Sequence, residues 1–357
     1  MKKLRVALIG QGRSGRNIHG AHLKSERNTN YEVAYVVELD EFRRNRALEE
    51  YPGCKVFSDY RELFNCKDID LVVNASYSET HYCITKDLLK HSFNVLCEKP
   101  FGQNFYECSD MIKTAKDNNV VLAVFQQTFF APYVMETKKL VESGKLGDLL
   151  QVSIHFNGFS RRWDWQTLQD RMGGGIYNTG PHPIGLAVDF LDYSPDMRVG
   201  YSKLGSALTS GDTDDFAKII LTAPGKPVVD VEVHSNDAFN DYTLKLLGTK
   251  GCYQCTAQKY KMKYIVDGEN PEKPVQRDFI HNENGDPIYC SEKLIAHEEE
   301  GEFEGEVFGV GTARLYNNLY DVIVNGAELY TKPEHAAMII NVIERVHAEN
   351  PMPKRFF

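Results

Sequence analysis

Three short stretches hold the residues whose types and spacing suit chemistry. They are a glycine turn, Gly10-Gln11-Gly12-Arg13-Ser14-Gly15, a lysine in Cys97-Glu98-Lys99-Pro100, and a histidine that closes Gly173-Gly174-Gly175-Ile176-Tyr177-Asn178-Thr179-Gly180-Pro181-His182. The turn follows the apolar run Leu4–Ile9 directly. In that position Gly10 permits a tight turn, Gly12 lets a pyrophosphate approach the backbone, and Gly15 lets a helix pack close to the strand with its N-terminus toward the phosphates. Glu38 follows the second apolar run, 23 residues after Gly15. A carboxylate there accepts hydrogen bonds from ribose hydroxyls and repels a 2′-phosphate, so NAD is expected ahead of NADP. Arg43 and Arg44 lie just beyond, either facing a 2′-phosphate or on a solvated helix face.

These residues need a parallel sheet to position them. The first 125 residues alternate β-branched runs (Leu4–Ile9, Glu32–Val37, Asp70–Ala75, Asn94–Leu96, Val120–Phe125) with helical patterns near Asn17–Lys24, Glu41–Glu50, Glu79–Lys90 and Phe105–Asp117. That alternation predicts a doubly wound α/β sheet with ligands at the strand C-termini, where Lys99 falls. After residue 126 a helix over Pro132–Glu142 is followed by alternating runs at Leu149–Phe156, Phe216–Thr222, Val228–His234, Tyr242–Leu247 and Lys261–Val266. Turn signals between them predict an α+β unit with a mostly antiparallel sheet, accompanied by helices over Gly175–Leu191 and Pro333–Glu349. One helix over Gly175–Leu191 would put Asn178 and His182 on the same face. His297–Glu306, with six Glu in ten residues, reads as a solvated loop.

Taken together, the glycine turn, Glu-Lys-Pro at 98–100, Gly-Lys-Leu-Gly at 144–147, the triple glycine leading to His182, and Gly248-Thr249-Lys250-Gly251 resemble the Gfo/Idh/MocA oxidoreductases over nearly the whole chain. The resemblance implies a Rossmann domain over 1–125 and a substrate-binding and oligomerisation domain over 126–357, whose open sheet joins a homo-dimer or homo-tetramer. It also implies hydride transfer between nicotinamide and a carbinol carbon of a sugar, cyclitol or related polyol, with Lys99 and His182 flanking the reacting hydroxyl. Histidine, with a reference pKa near 6.5, suits the base, and lysine, near 10.4, suits a charged clamp on the alkoxide. Asn178 completes the expected catalytic set. It stands where an aspartate is frequent, and Gly185 replaces a second one.

The expected cofactor contacts are Gly10, Gln11, Gly12, Arg13, Ser14, Gly15, Glu38, Ser76, His81, Glu98 and Lys99. For His81 the alternative is helix capping. Trp163, Trp165, Arg161 and Tyr177 form the expected substrate set, since aromatic faces suit sugar rings and arginine suits hydroxyls or a carboxylate. For the tryptophan stretch the alternatives are a subunit contact or core packing. Two other functions use the same residues. One is a redox-neutral cleavage in which NAD oxidises the sugar transiently, and the other is a non-catalytic NAD-binding regulator.

Composition limits the partners. Lys plus Arg 41 against Asp plus Glu 50 gives a net charge of -9, which argues against nucleic acid or an anionic membrane as the main partner. No apolar run is long enough for a membrane span, and Met1-Lys2-Lys3-Leu4-Arg5 leads into a strand-sized run too short for a secretory core. Eight cysteines of irregular spacing point to a reducing cytoplasm. Cys252-Tyr253-Gln254-Cys255 lacks a second pair, so no metal is expected.

Overall fold

The computed structural model describes residues 3–355; Met1 and Lys2 of the expected start lie outside the described residues. β1 (Leu4–Ile9), β2 (Tyr31–Val37), β3 (Lys55–Phe57), β4 (Leu71–Asn74), β5 (Val95–Cys97) and β6 (Leu122–Val124) form a parallel sheet in the order β3-β2-β1-β4-β5-β6. This is the doubly wound dinucleotide-binding order. Its central strands are buried on both faces, so Val6–Ile9, Leu71–Val73 and Val95–Cys97 read as continuous apolar runs. Helices α1 (Ala21–Lys24), α2 (Glu41–Glu50), α3 (His81–Lys90) and α4 (Phe105–Asp117) connect the strands. Asp40 caps α2 by accepting from the Arg43 N–H, and Asn104 caps α4 by accepting from the Glu107 N–H.

After α5 (Pro132–Glu142) comes β7 (Leu149–His155), then two short helices, α6 (Gly175–Asn178) and α7 (Pro181–Phe190). The strands β8 (Arg198–Gly205), β9 (Phe216–Thr222), β10 (Val228–His234), β11 (Leu244–Gly248), β12 (Gly251–Cys255), β13 (Lys259–Tyr264) and β14 (His297–Glu302) complete a second sheet. Its order is β14-β13-β12-β11-β7-β10-β9-β8, antiparallel except where β10 runs parallel to β7. Val152 and Ile154 of β7, Val229 and Val231 of β10 and Leu244 and Leu246 of β11 bury one face, in the period-2 pattern of a half-covered sheet. α8 (Val307–Asn325) and α9 (Pro333–Glu349) end the chain. Both expected architectures, the parallel doubly wound sheet and the mostly antiparallel one, are therefore present.

Two expectations change, and one helix is new. The helix expected over Gly175–Leu191 is two helices. Pro181 has no N–H to continue α6, and it opens α7 at a position that tolerates proline. Asn178 and His182 therefore do not sit one turn apart on a single helix.

The acidic run is also not a free loop, because β14 pairs with β13 and sets Glu298, Glu300 and Glu302 opposite Lys263, Lys261 and Lys259. Opposite charges directly across a ladder offset the low strand propensity of glutamate. Finally, α8 is a long helix that the periodicity did not reveal. Gly309, Gly311 and several β-branched residues weaken its propensity, and it forms because Leu315, Tyr316 and Leu319 bury one stripe. A Cβ at Gly311 would meet the Gln127 carbonyl oxygen, so glycine permits that approach.

Candidate active site

The C-terminal ends of β1, β4, β5 and β6 open on one cavity of about 1550 Å³ between the two sheets. At the end of β1, Gly10 takes φ +89°, which glycine adopts readily, and a Cβ there would strike the Ala75 carbonyl oxygen. A Cβ at Gly15 would strike the Gly10 carbonyl oxygen, whereas a Cβ at Gly12 would meet nothing within 4 Å. The glycines divide as expected: Gly10 and Gly15 permit close packing, and Gly12 borders open space. The following turn, Gly15–Gly20, is a π-helix before α1, where a regular helix was expected from Asn17.

Gly10, Gly12, Arg13 and Ser14 line the cavity. Gln11 and Gly15 do not. The Gln11 side-chain amide folds back to donate to the Gly10 carbonyl, and the Gln11 backbone N–H donates to Glu38 Oε2 at 2.7 Å. Glu38 Oε1 accepts from the Asp40 N–H at 3.0 Å, which holds the carboxylate at the cavity wall. Arg43 Nη1 lies 3.8 Å from Glu38 Oε2, whereas Arg44 caps the Glu38 and Leu39 carbonyls.

Ser76, His81, Glu98 and Lys99 line the centre. His81 opens α3 with both ring nitrogens near backbone carbonyls, Nδ1 at 2.7 Å from Pro100 O and Nε2 at 3.3 Å from Ser76 O. Burial lowers its pKa. The ring therefore ties the loop after β4 to the turn after β5. The Glu98 carboxylate is buried. Oε1 lies 3.1 Å from His19 Nε2, and Oε2 accepts from the Lys99 N–H at 3.0 Å. Burial alone would push its pKa up, but the His19 hydrogen bond and the charges of His19, Lys99 and His81 hold it at about 2. His19 Nδ1 in turn meets the Tyr316 hydroxyl of α8 at 2.8 Å.

Lys99 Nζ donates to the Asn178 carbonyl at 2.7 Å. Burial lowers the Lys99 pKa; Glu98 opposes that, and Arg13 and Arg162 add to it. His182 Nδ1 lies 2.8 Å from Thr128 Oγ1, and its ring packs on Phe156. Burial and then the Lys99 charge push His182 down to about 3. Asn178 therefore meets Lys99 through its backbone and not through its amide. At Gly185 a Cβ would crowd Ile339 and Phe129, so the position is closely packed.

The expected substrate set divides. Trp165 lines the cavity, its ring edge-on to Tyr77 at 5.1 Å. Trp163 is 79% exposed, and Arg161 also faces solvent. In this irregular stretch the neighbour, Arg162, is the one that turns inward, held by Asp164 and Gln166. Tyr177 points away from the cavity, donating to the Gln103 carbonyl and stacking on His347.

Thr128 and Asp214 were missed. Thr128 lies just beyond β6, and its place past a strand C-terminus was the available signal. Asp214 is buried in Gly211-Asp212-Thr213-Asp214-Asp215. Its Oδ2 accepts the Ile176 N–H at 2.8 Å and its carbonyl accepts the Gly175 N–H, so it fixes the start of α6, the helix that carries the Asn178 carbonyl. Burial pushes its carboxyl up to about 7. No local sequence signal marked it.

His155, Asp230 and Glu232 lie within metal-ligand reach of one another, but Lys218 Nζ already bonds both carboxylates at 2.6 Å. Cys252 is exposed and Cys255 buried on β12, so the two thiols do not converge. Among the described residues no helix is long and apolar enough to cross a membrane.

The sheet order, the glycine turn and the cavity at the strand ends define an NAD-binding Rossmann domain joined to an α+β domain. Two family models match, "Oxidoreductase family, NAD-binding Rossmann fold" over residues 4–126 and "GFO/IDH/MocA C-terminal domain" over 134–254. The chain belongs to the Gfo/Idh/MocA oxidoreductase family. It is 25% identical to the uncharacterized oxidoreductase YhhX of Escherichia coli (strain K12), over 96% of this chain and 95% of that protein. It is 27% identical to an inositol 2-dehydrogenase of Salmonella paratyphi B, over 74% of this chain and 80% of that enzyme. The crystal structure of GenD2 from gentamicin A biosynthesis, in complex with NAD, superposes with a TM-score of 0.77 at 20% identity, covering 98% of this chain and 95% of that one, and shows the shared fold.

Proposed function

We propose that this oxidoreductase oxidises a secondary alcohol of a sugar, cyclitol or related polyol with NAD. The observation that carries this reading is that Lys99 and His182, from different domains, line the same cavity as Gly10 and Gly12. The open space beside Gly12 and the positive φ of Gly10 fit a dinucleotide pyrophosphate. Arg13, Ser14 and the neighbouring N–H groups would hold the phosphates, Glu38 the adenosine ribose, and Ser76 would border the nicotinamide. Bound there, nicotinamide supplies the two-electron acceptor for the carbinol C–H. Glu38 at the wall, with Arg43 turned toward it, favours NAD over NADP.

We assign the acid–base roles the other way round from the sequence expectation. A base works best with a pKa near the operating pH, and an imidazolium beside Lys99 is opposed by like charge. His182, held near 3, stays neutral and orients the hydroxyl. Burial lowers the Lys99 pKa and so raises the share of amine able to take the hydroxyl proton; the ammonium so formed stabilises the oxygen while donating to Asn178 O. Of the expected tryptophans this reading keeps Trp165, and it takes Arg162 rather than Arg161 as the arginine that meets substrate. The outer face of the second sheet is the surface through which copies of the chain would pair, checked by solution mass.

The test is NADH formation over sugars, cyclitols and sugar acids, wild type against Lys99→Met. A wild type inactive across the panel refutes dehydrogenase turnover. Cleaved sugar without net NADH would instead assign the redox-neutral reaction.

A further inference from the structure

The cavity has room for NAD and a second ligand, and its shape shows how far that second ligand can extend. Roughly 300–1,000 Å³ accommodates a typical drug-sized ligand, against about 1550 Å³ here. One arm leads past Glu38 to Ser58–Arg61, at the ends of β2 and β3. The centre holds Lys99 and His182. A second arm follows one end of the second sheet, from Phe156 after β7, past Thr243 before β11 and Gln258 between β12 and β13, to Phe303 after β14. These strands are consecutive neighbours, β7-β11-β12-β13-β14. At about 4.8 Å per spacing, four spacings make this arm roughly 19 Å long. A single hexose or cyclitol fills only its inner part, next to His182.

The lining of the arm identifies the class of occupant. Asn240, Thr243 and Gln258 offer hydrogen bonds, and Phe303 and Phe308 offer aromatic surface, a combination that suits the polar edges and apolar faces of sugar rings. Among the described residues of this arm, Glu306 supplies a carboxylate and no lysine or arginine is present. A diphosphate would have no cation to meet it there. From this geometry, and resting on the alcohol-oxidising reading above, we infer that the substrate is an extended glycoside, neutral or amine-bearing. One ring reacts between Lys99 and His182, and the next lies along Gln258, Phe303 and Phe308; a nucleotide-linked sugar does not fit this lining.

The test compares lactose, maltose, cellobiose and a glucosamine dimer with their monosaccharides and with UDP-glucose, in wild type, Gln258→Ala and Phe308→Ala. At least one disaccharide is expected to exceed its monosaccharide in kcat/KM by roughly tenfold or more. Each variant is expected to reduce that advantage by raising the disaccharide KM. Equal efficiencies, a preference for UDP-glucose, or an advantage unchanged in both variants overturns the inference and leaves the dehydrogenase reading standing. If no sugar yields NADH, the dehydrogenase reading fails and calorimetry on the NAD-loaded protein decides the arm. Disaccharide binding weakened by Gln258→Ala supports it, and absence of disaccharide binding overturns it.

Discussion

Replacing Glu98 with Gln tests the centre of the site most directly. The side chain keeps its shape and loses the charge that His19 and the Lys99 N–H stabilise. In the folded protein the carboxyl lies at about 2, against an ordinary value of 4.5. At 1.36 kcal/mol per unit, this difference contributes on the order of 3 kcal/mol. Because the folded pKa is depressed, that contribution is fully present above about pH 4.5 and lost as pH falls toward 2. The amide approximates the protonated acid, so wild type and Glu98→Gln should differ most at pH 7. By pH 3.5 the wild type has given up roughly 1.4 kcal/mol of its lead. Urea unfolding of both proteins at pH 7, 4.5 and 3.5 measures the gap. The same charge raises the Lys99 pKa, so the variant's rate profile should also move to lower pH. A stability gap that is constant with pH would refute the assignment of the carboxylate as the charged partner in this cluster.

Glu38→Ser removes the carboxylate from the cavity wall, and the NAD-over-NADP ratio of kcat/KM should fall by roughly tenfold or more, measured with both cofactors on one substrate. Asp214→Asn keeps an acceptor for the Ile176 N–H without a buried charge. Because the Asp214 pKa is raised to about 7, wild type loses stability as pH climbs from about 4 to 7, and the variant should be more stable at pH 8 by up to about 4 kcal/mol in urea unfolding. Gly15→Ala sets a methyl against the Gly10 carbonyl oxygen and should weaken NAD binding by tenfold or more, read by calorimetry as about 1.4 kcal/mol. Thr128→Val leaves His182 Nδ1 unpaired and should lower kcat while NAD affinity holds, separated by steady-state kinetics and NAD titration.

The Rossmann half was legible because its signals are local. β-branched runs buried on both faces, a glycine turn at a strand end and helices with ordinary caps each announce themselves within a few residues. That Lys99 and His182 line one cavity was legible for the same reason, from their motif positions. What escaped depends on pairing across distance. β14 forms because lysines lie opposite its glutamates, and α8 forms because Tyr316 finds His19 and the Tyr31 hydroxyl. The inward turn of Arg162 in place of Arg161 is set by Asp164 and Gln166 within an irregular loop, where no period assigns a face. The helix break at Pro181 was readable from the proline alone, but the apolar pattern across it suggested continuity.

The Tyr316 contact also bears on the order in which the protein becomes competent. During synthesis the parallel sheet can close once residue 124 has emerged, yet the His19 ring that supports Glu98 lacks its hydroxyl partner until residue 316 follows. The nascent N-terminal unit thus carries a complete glycine turn beside a Glu98-Lys99 turn whose support is unfinished. A chain released early, after the second sheet but before α8, would possess every residue assigned to chemistry and still lack the polar chain that holds Glu98, and through it Lys99, in register. The hydroxyl that supports His19, and through it Glu98, therefore comes from a helix far along the chain from the turn it steadies.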